Sequence, residues 1–507
     1  MKIASAFAAL LTLQRHNIWA SAAAEEDHEQ HEHERELERE LLLNQAKAAD
    51  RVNDIVEDTM AYYDEDDAKG VALPLNYVKL SVGPQQLTMA LRLPGVEREQ
   101  HVMIDTGSSS LAFCDKSLID EAVGITRTDY AQCKAYSRAI SCANENDPST
   151  SLHRVFYVGQ IYEGNVTASY ETSNGDELFI EMEDVNFAIM SKRQIYACSG
   201  PLDGVFGVAF DALHRAVELP SPDFDLWHES CESDDPFYKS VGYCKTYNTF
   251  LKSVSLPSPL EQTLKEDTAS GNIEEGAFGL YCDYAATIGS QVDTIVPSLG
   301  IFFGGDMALN NTFYNSGTPQ AASLQKCNSK MQWYLLKLNS IRIPAMNMTQ
   351  SGFDQCKCDG VIAHCFTDSG DSKIRLPLPK SQCDVLTNTN IDSLKTMGSM
   401  LLDIEGIDGE TVTLSLPLLW LREQLELGNV VCTGSKGNFL LGFPIFQYYY
   451  LVFDMADNRV TFVDLQLSDE AKAFIDGPEY GGMNSGYHRH VQSTSSLVAV
   501  AMFFFLL

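Results

Sequence analysis

The chain has 507 residues, of which 45% are hydrophobic, so it is long enough for two or three domains with sizeable cores. Its formal net charge of -33 at pH 7 argues against a nucleic-acid partner, because binding to a phosphate backbone needs Lys and Arg. Such acidity favours a protein that works at low pH, where carboxylates lose their charge, or a secreted protein.

The N-terminal residues 1–22 have the pattern of a secretory signal peptide. Lys2 is followed by an apolar run over 3–13, and a small-residue cleavage site ends at Ala22. The run is too short to span a bilayer. Residues 23–70 then form a separate acidic zone with one amphipathic helical pattern, and we predict that this zone is a propeptide.

From Val71 onward the pattern changes to short β runs. Stretches such as VALPLNYVKLSVG and HVMID alternate in hydrophobicity and are punctuated by glycine, while long helical patterns are scarce. The sequence therefore predicts an all-β fold. We place an N-terminal lobe at 71–272, a C-terminal lobe at 273–468 and a stalk at 469–486.

The second half of the chain repeats landmarks of the first half. Asp-Thr-Gly-Ser-Ser at 105–109 is echoed by Asp-Ser-Gly-Asp-Ser at 368–372, and DGVFGVAF at 203–210 is echoed by FLLGFPIF at 439–446. An isolated Asp-Ser/Thr-Gly is common in ordinary β-turns. Two copies in a long internal repeat instead indicate two similar lobes, each supplying half of one site.

These motifs resemble those of the pepsin-type aspartic proteases, over the chain from about 71 to 468. IFFGGDM at 301–307 and YYYLVFDMADNRVTFVDL at 448–465 also occur in the order of that family. The resemblance implies a bilobed, β-rich fold with a cleft between its lobes and a catalytic pair, Asp105 and Asp368. It further implies cleavage of protein or peptide substrates with no metal and no organic cofactor.

The chemistry of such a pair follows from its charges. Two carboxyls a hydrogen bond apart cannot both ionise cheaply, so they share one proton that belongs to the pair. The charged carboxylate can activate a water while the neutral one polarises the substrate carbonyl. Gly107 and Gly370 let the two backbones approach each other. The family resemblance implies that Thr106 and Ser369 cross-brace the lobes through hydroxyl hydrogen bonds.

Asp371 departs from the family pattern, in which a Ser or Thr three residues after each catalytic Asp donates a hydrogen bond to it. Ser108 can do so, whereas Asp371 can donate only when it is protonated. Ionised, it would raise the apparent pKa values of the pair, which predicts activity confined to acid pH and, after replacement by Thr, a profile widened to higher pH. Alternatively, Asp371 turns outward and Ser372 replaces it, or the chain is an inactive pepsin-fold binding protein.

Within the family, the sequence looks closest to the β-secretase, or memapsin-like, proteins. Their flap, a hairpin over the cleft, carries a Tyr and a turn of aromatic-Glu-Gly, which YVGQIYEG at 157–164 matches. The resemblance makes Tyr157 the flap tyrosine that closes over the substrate, with its hydroxyl paired to Tyr162. Ala112, seven residues after the first Asp of the pair, also agrees with β-secretase.

Thirteen cysteines follow the signal segment and predict a disulfide framework with at least one unpaired thiol. Zinc ligation is disfavoured, because the one close pair, at 356 and 358, has a single residue between its members. The pairing stays open in the sequence. Candidate bonds are Cys133–Cys142, Cys231–Cys244, and Cys432 with either Cys383 or Cys282.

The C-terminal residues 487–507 have the pattern of a glycosylphosphatidylinositol (GPI) anchor signal. Small residues at 484–486, with Asn484 as the candidate attachment site, precede a polar spacer and an apolar run at 497–507. A C-terminal helix docked on the core is the alternative, but the run is apolar on all sides. The tail resembles that of fungal yapsins and differs from the transmembrane span of animal β-secretases.

Three Asn-X-Ser/Thr sequons agree with passage through the secretory pathway and are candidate glycosylation sites: Asn165, Asn310 and Asn347. We therefore expect a monomeric glycoprotein that is tethered to a membrane by a lipid anchor. The cell surface and an endosomal or vacuolar membrane are its expected locations.

Overall fold

A computed structural model describes most of the chain between residues 39 and 464, and the described residues are 39, 42–57, 70–81, 85–135, 156–171, 177–194, 196–219, 253–270, 273, 276–283, 290–327, 329–353, 365–435 and 437–464. The predicted signal peptide, stalk, anchor signal and Asn484 lie outside these residues. Within them, no helix is both long enough and apolar enough to cross a membrane.

Strands dominate the described residues. In chain order they are β1 (Gly70–Lys79), β2 (Gln85–Arg92), β3 (Gln100–Asp105), β4 (Leu111–Phe113), β5 (Thr126–Ala135), β6 (Phe156–Glu171), β7 (Glu177–Gln194), β8 (Gly204–Gly207), β9 (Arg215–Glu218), β10 (Ser253–Ser255), β11 (Ala277–Cys282), β12 (Ile295–Gly305), β13 (Thr318–Ser323), β14 (Leu338–Ile343), β15 (Met348–Ser351), β16 (Cys365–Asp368), β17 (Ile374–Leu376), β18 (Ser399–Glu405), β19 (Thr411–Pro417), β20 (Val430–Cys432), β21 (Phe439–Gly442), β22 (Tyr449–Asp454) and β23 (Arg459–Asp464).

Helices are fewer and mostly short. The first, α1, covers residues 42–57, and the others are α2 (Leu118–Glu121), α3 (Pro259–Ser270), α4 (Thr312–Ser316), α5 (Lys380–Asn388), α6 (Ile391–Met397) and α7 (Leu418–Glu426). Short 3-10 helices lie at Tyr196–Cys198, Asp211–Leu213, Asp306–Ala308, Pro344–Met346, Ile407–Gly409 and Phe443–Gln447.

One large sheet joins the two halves of the chain. Within the described residues it has 15 strands, in the order β10-β9-β5-β6-β7-β4-β8-β3-β2-β1-β12-β11-β22-β23-β13. The halves meet where β1 pairs antiparallel with β12, with Gly70 opposite Gly305. Two smaller sheets, β15-β14-β18-β19 and β16-β21-β17-β20, belong to the second half.

Each half contains the same small arrangement of strands. In the first half β3 runs parallel to β8, and β8 pairs antiparallel with β4. In the second half β16 runs parallel to β21, and β21 pairs antiparallel with β17. Asp105 lies opposite Gly207, and Asp368 lies opposite Gly442 in the matching register. The predicted all-β fold with two similar β-rich lobes is confirmed.

The central strands are buried on both faces. β22 reads YYLVFD and is buried at all 6 positions, as expected for a strand that is covered on two sides. On one face, Leu73, Phe302 and Phe453 join the large core that also holds Ile104 and Leu441, beside the two Asp loops. On the other face a second apolar cluster includes residues from α1. The amphipathic helix expected in the acidic zone is thus packed on the sheet.

Disulfides connect helices and loops to the sheets. Among the described residues Cys114–Cys198 and Cys383–Cys432 are bonded, and Cys327 and Cys365 also take part in disulfides. Cys282 is a free thiol, and burial raises its pKa. The structure therefore pairs Cys432 with Cys383 rather than with Cys282. The other two candidate bonds involve residues outside the described part of the chain.

Replacing both Cys383 and Cys432 with Ala should lower the free energy of unfolding by about 2–4 kcal/mol, because the bond closes a long loop in the unfolded chain. The two residues are 49 positions apart. Denaturant unfolding without reductant would measure the change. Cys282→Ala is the matched control, since it removes a buried sulfur but no bond. A double variant as stable as this control would contradict the prediction.

Candidate active site

Two aspartates from matching loops meet where the halves of the chain come together. Asp105 ends β3 and Asp368 ends β16, and each begins a tight turn into a glycine two residues on. Asp105 is buried and Asp368 is partly buried. Their carboxyl groups lie side by side, since a methyl group on Gly370 would be 2.5 Å from Oδ1 of Asp105 and 3.1 Å from Oδ1 of Asp368. The structure therefore brings together the two carboxyls that the sequence singled out.

The glycine of each loop packs against the aspartate of the other loop. A methyl group on Gly107 would lie 2.6 Å from Oδ1 of Asp368, and one on Gly370 would lie 2.5 Å from Oδ1 of Asp105. The same glycines donate their backbone N–H groups to their own aspartates, over 2.8 Å and 2.9 Å respectively. Any side chain at either position would force the two carboxyls apart.

A reciprocal pair of hydrogen bonds braces the two loops below the carboxyls. The backbone N–H of Thr106 donates to Oγ of Ser369 over 3.0 Å, and the N–H of Ser369 donates to Oγ1 of Thr106 over 2.8 Å. Each hydroxyl then donates onward to a strand carbonyl, that of Thr367 or Ile104. Both braced residues are buried, so these bonds are sheltered from competition with water.

The residues three positions after the aspartates differ in what they contact. Oγ of Ser108 donates to Oδ2 of Asp105 over 2.5 Å. Asp371 instead faces Arg375, whose Nη2 lies 2.7 Å from its Oδ2, and its Oδ1 accepts from the N–H of Lys373. Asp371 thus turns away from Asp368, as one sequence alternative expected. No described hydrogen bond from a side chain at 372 takes its place.

The charges of the site favour a proton on Asp368. Burial and the negative charges of Asp105 and Asp371 hold the pKa of Asp368 well above its usual range, and its hydrogen bond with Asp105 acts in the same direction. Asp105 accepts hydrogen bonds from the Ser108 hydroxyl and the Gly107 N–H. Such donors stabilise a charged carboxylate. The two aspartates therefore lie in different electrostatic surroundings.

Two residues that the sequence did not single out hold the loops from outside. Nε1 of Trp333 donates to the carbonyl of Gly107 over 3.1 Å. Nε2 of Gln86, a buried residue of β2, donates to the carbonyl of Gly370 over 3.1 Å. Neither residue lies in a motif, so no sequence signal could have identified them.

The prediction that residues 157–164 form the turn of a flap is wrong. Residues 157–164 lie inside the continuous strand β6, because they pair with β5 on one side and β7 on the other. The hydroxyl of Tyr157 donates to Oε1 of Gln132, not to Tyr162, and Tyr162 stacks on Phe187.

Tyr157 nevertheless lies close to the first Asp loop. The Gln132 amide that accepts its hydroxyl donates in turn to Oγ of Ser110, five residues after Asp105. Burial raises the pKa of the Tyr157 phenol above its usual value, so it stays a neutral hydrogen-bond donor.

The three sequons differ in accessibility. Asn310 and Asn347 are exposed. Asn165 is partly buried. Its Nδ2 donates a hydrogen bond to Oε1 of Glu181, and its Oδ1 accepts one from the N–H of Asp184. Within the described chain, no group of three or more His, Cys, Asp or Glu is arranged to hold a metal ion.

Two β-rich halves whose matching Asp loops meet at their tips define a pepsin-like aspartic proteinase fold. Among solved structures, the chain is similar to the aspartic proteinase from Irpex lacteus, at 13% sequence identity and a TM-score of 0.49, over 79% of this chain and 98% of that chain. No family model matches the sequence, and no curated protein matches it. The site geometry described above belongs to this chain and does not depend on that likeness.

Thr106→Val should lower the free energy of unfolding by about 1–3 kcal/mol, because it leaves the buried N–H of Ser369 without an acceptor. Urea unfolding would measure the loss. Thr411→Val is the matched control, since this residue is exposed at the start of β19, and we expect a change within about 0.5 kcal/mol. Equal effects of the two substitutions would show that the brace adds no stability.

Proposed function

We propose that this chain is an aspartic endopeptidase in which Asp105 and Asp368 activate one water molecule between them. The observation that carries the proposal is the close approach of two carboxyls on matching loops: a methyl group on Gly370 would lie 2.5 Å from Oδ1 of Asp105 and 3.1 Å from Oδ1 of Asp368. Burial and the charge of Asp105 also raise the pKa of Asp368. Two carboxyls that served only a structural purpose would not be expected to lie against each other, because their charges repel.

In the proposed reaction the charged Asp105 takes a proton from the water as its oxygen attacks the peptide carbonyl carbon. Asp368 gives its proton to the carbonyl oxygen, which forms a neutral tetrahedral intermediate. Collapse of the intermediate breaks the C–N bond, with one proton passing to the leaving nitrogen and another returning to the pair. The pair therefore ends the cycle with one proton, as it began.

We propose an extended segment of protein or peptide as the substrate, bound through its backbone as an added strand would be. Tyr157 is proposed to act through Gln132 and Ser110, by holding the loop that follows Asp105. This replaces the flap role that the sequence suggested. Because the flap turn was part of the β-secretase likeness, we place the chain no more narrowly than the pepsin-like fold.

The cellular setting is proposed from sequence patterns alone. We propose secretion through the signal peptide at 1–22, a GPI anchor at Asn484, and a final location at the cell surface or on an endosomal or vacuolar membrane. Asn310 and Asn347 are the favoured glycan acceptors, since both are exposed. The acidic zone at 23–70 is proposed to make the initial product a proenzyme.

A pepsin-fold protein that binds peptides without cutting them is the second candidate. The observation that favours it is the missing hydroxyl donor at position 371, which leaves Asp368 with the Gly370 N–H as its backbone donor while Asp105 has a hydroxyl as well.

The proposed activity can be tested with secreted protein truncated before Asn484, quenched casein and a mixed peptide pool, from about pH 3 to about pH 7, where carboxyls titrate. We expect pepstatin-sensitive cleavage at acid pH. Asp105→Asn and Asp368→Asn should each lower the rate by at least about 10²–10⁴-fold. The exposed Asp129→Asn serves as the control. Folded protein that binds the peptides without cleaving them would favour the second candidate.

The pH profile should respond in opposite directions to the two members of the Asp371–Arg375 ion pair. Activity is lost on the alkaline side at the pH where Asp105 and Asp368 together lose their last proton. The negative charge of Asp371 raises the pKa of Asp368. Asp371→Thr should therefore move the alkaline limb of kcat/KM to lower pH. This shift is opposite in direction to the widening to higher pH that the sequence suggested, because the active aspartate pair must keep one proton.

Arg375→Gln should move the same limb to higher pH, because it leaves the Asp371 charge without its positive partner. Profiles of kcat/KM against pH for both variants and the parent would measure the shifts. Two shifts in the same direction would contradict this electrostatic account.

A further inference from the structure

The outer face of the central sheet is an apolar surface that α1 covers. We define this outer face by five side chains, Ala72, Ile301, Phe303, Val452 and Val463, which cluster with residues of α1 and are fully buried. Successive side chains of a strand point to opposite faces, so their neighbours in sequence belong to the core beside the Asp loops. Val52 and Val56 of α1 therefore pack on the face of the sheet that is turned away from the Asp loops, while Ala48 of the same helix joins the core cluster.

α1 meets the outer face with a stripe of aliphatic side chains. Val52 and Val56 are four residues apart, so they lie one above the other on the same side of the helix, and both are buried in the cluster. Ile55 packs against the same cluster. The opposite side of the helix carries exposed polar residues, such as Lys47 and Asp54. The fit is that of an amphipathic helix on an apolar surface.

Polar contacts fix the position of the helix along this face. Arg51 forms an ion pair with Asp283, directly after β11, and Asp283 is only 3% exposed. Nε2 of Gln45 donates to Oγ of Ser290 over 3.1 Å. Removal of α1 would therefore expose the apolar outer face and break the ion pair between Arg51 and Asp283.

We propose that α1 is a permanent part of the folded protein: cleavage of the chain between α1 and β1 leaves the helix bound to the outer face, so that the mature protein consists of two non-covalently associated pieces. The acidic zone is then processed without losing its helix. α1 packs mainly on the outer face and not against the Asp loops. The inference concerns the fold and does not require the aspartate pair to be active.

The test uses the secreted chain with Asp105→Asn, so that it cannot cut itself, and with a recognition site for a sequence-specific protease inserted within 58–69. After cutting, native mass spectrometry and size exclusion would show whether the α1 fragment stays with the rest. We expect one fragment per core. A parent fragment that separates while the core remains folded and monomeric would overturn the proposal.

Charge variants test whether the Arg51–Asp283 contact holds the α1 fragment on the core. Arg51→Glu should release the fragment at least about tenfold faster than the parent, because it opposes the buried Asp283 with a like charge. Lys47→Glu makes the same change in charge on the exposed side and should leave the release rate unchanged. Adding Asp283→Arg to Arg51→Glu should restore retention. Equal release rates for the Arg51 and Lys47 variants would show that the Arg51–Asp283 contact does not hold the fragment. The proposal itself is decided by whether the fragment of the parent protein stays bound, even if a variant fails to fold.

Discussion

Two carboxyl groups in a buried site repel each other once both are charged, so the surrounding structure has to hold them together. In this protein, backbone geometry holds them together. The Thr106–Ser369 bonds tie one loop to the other, and each loop presents a glycine where any side chain would strike the opposing carboxyl. The shared sheet, joined at β1 and β12, then keeps the halves in register.

The two halves repeat in architecture but not in electrostatics. Ser108 supplies a hydroxyl to its aspartate, whereas the equivalent position in the second half carries a carboxylate that pairs with Arg375. In a symmetric site, neither of the two carboxyls would be favoured to carry the proton. Here burial and the negative charges of Asp105 and Asp371 raise the pKa of Asp368, whereas Asp105 accepts a hydrogen bond from the Ser108 hydroxyl. A residue that looked like a defect in the motif therefore contributes to the division of roles.

The sequence predicted the features that depend on short stretches of neighbouring residues. The two Asp-Ser/Thr-Gly loops and the strands before them were found because alternation, turn residues and repetition are all written in short stretches. The flap turn was misplaced, because the match at 157–164 could not reveal that β5 and β7 pair with that segment on both sides. Trp333 and Gln86 were missed for a related reason. Their contacts with the loops span more than two hundred residues of chain, and such pairings leave no local pattern.

The brace between the loops also limits how this molecule can move. Its hydrogen bonds cross directly between the halves, beside a continuous β ladder, so a motion that separated the halves there would have to break both sets of bonds. Strands such as β5 and β9 lie far from β1 in the order of the sheet, so they can shift without breaking these central bonds. In mechanical terms, the protein is a rigid frame whose compliance lies at its edge.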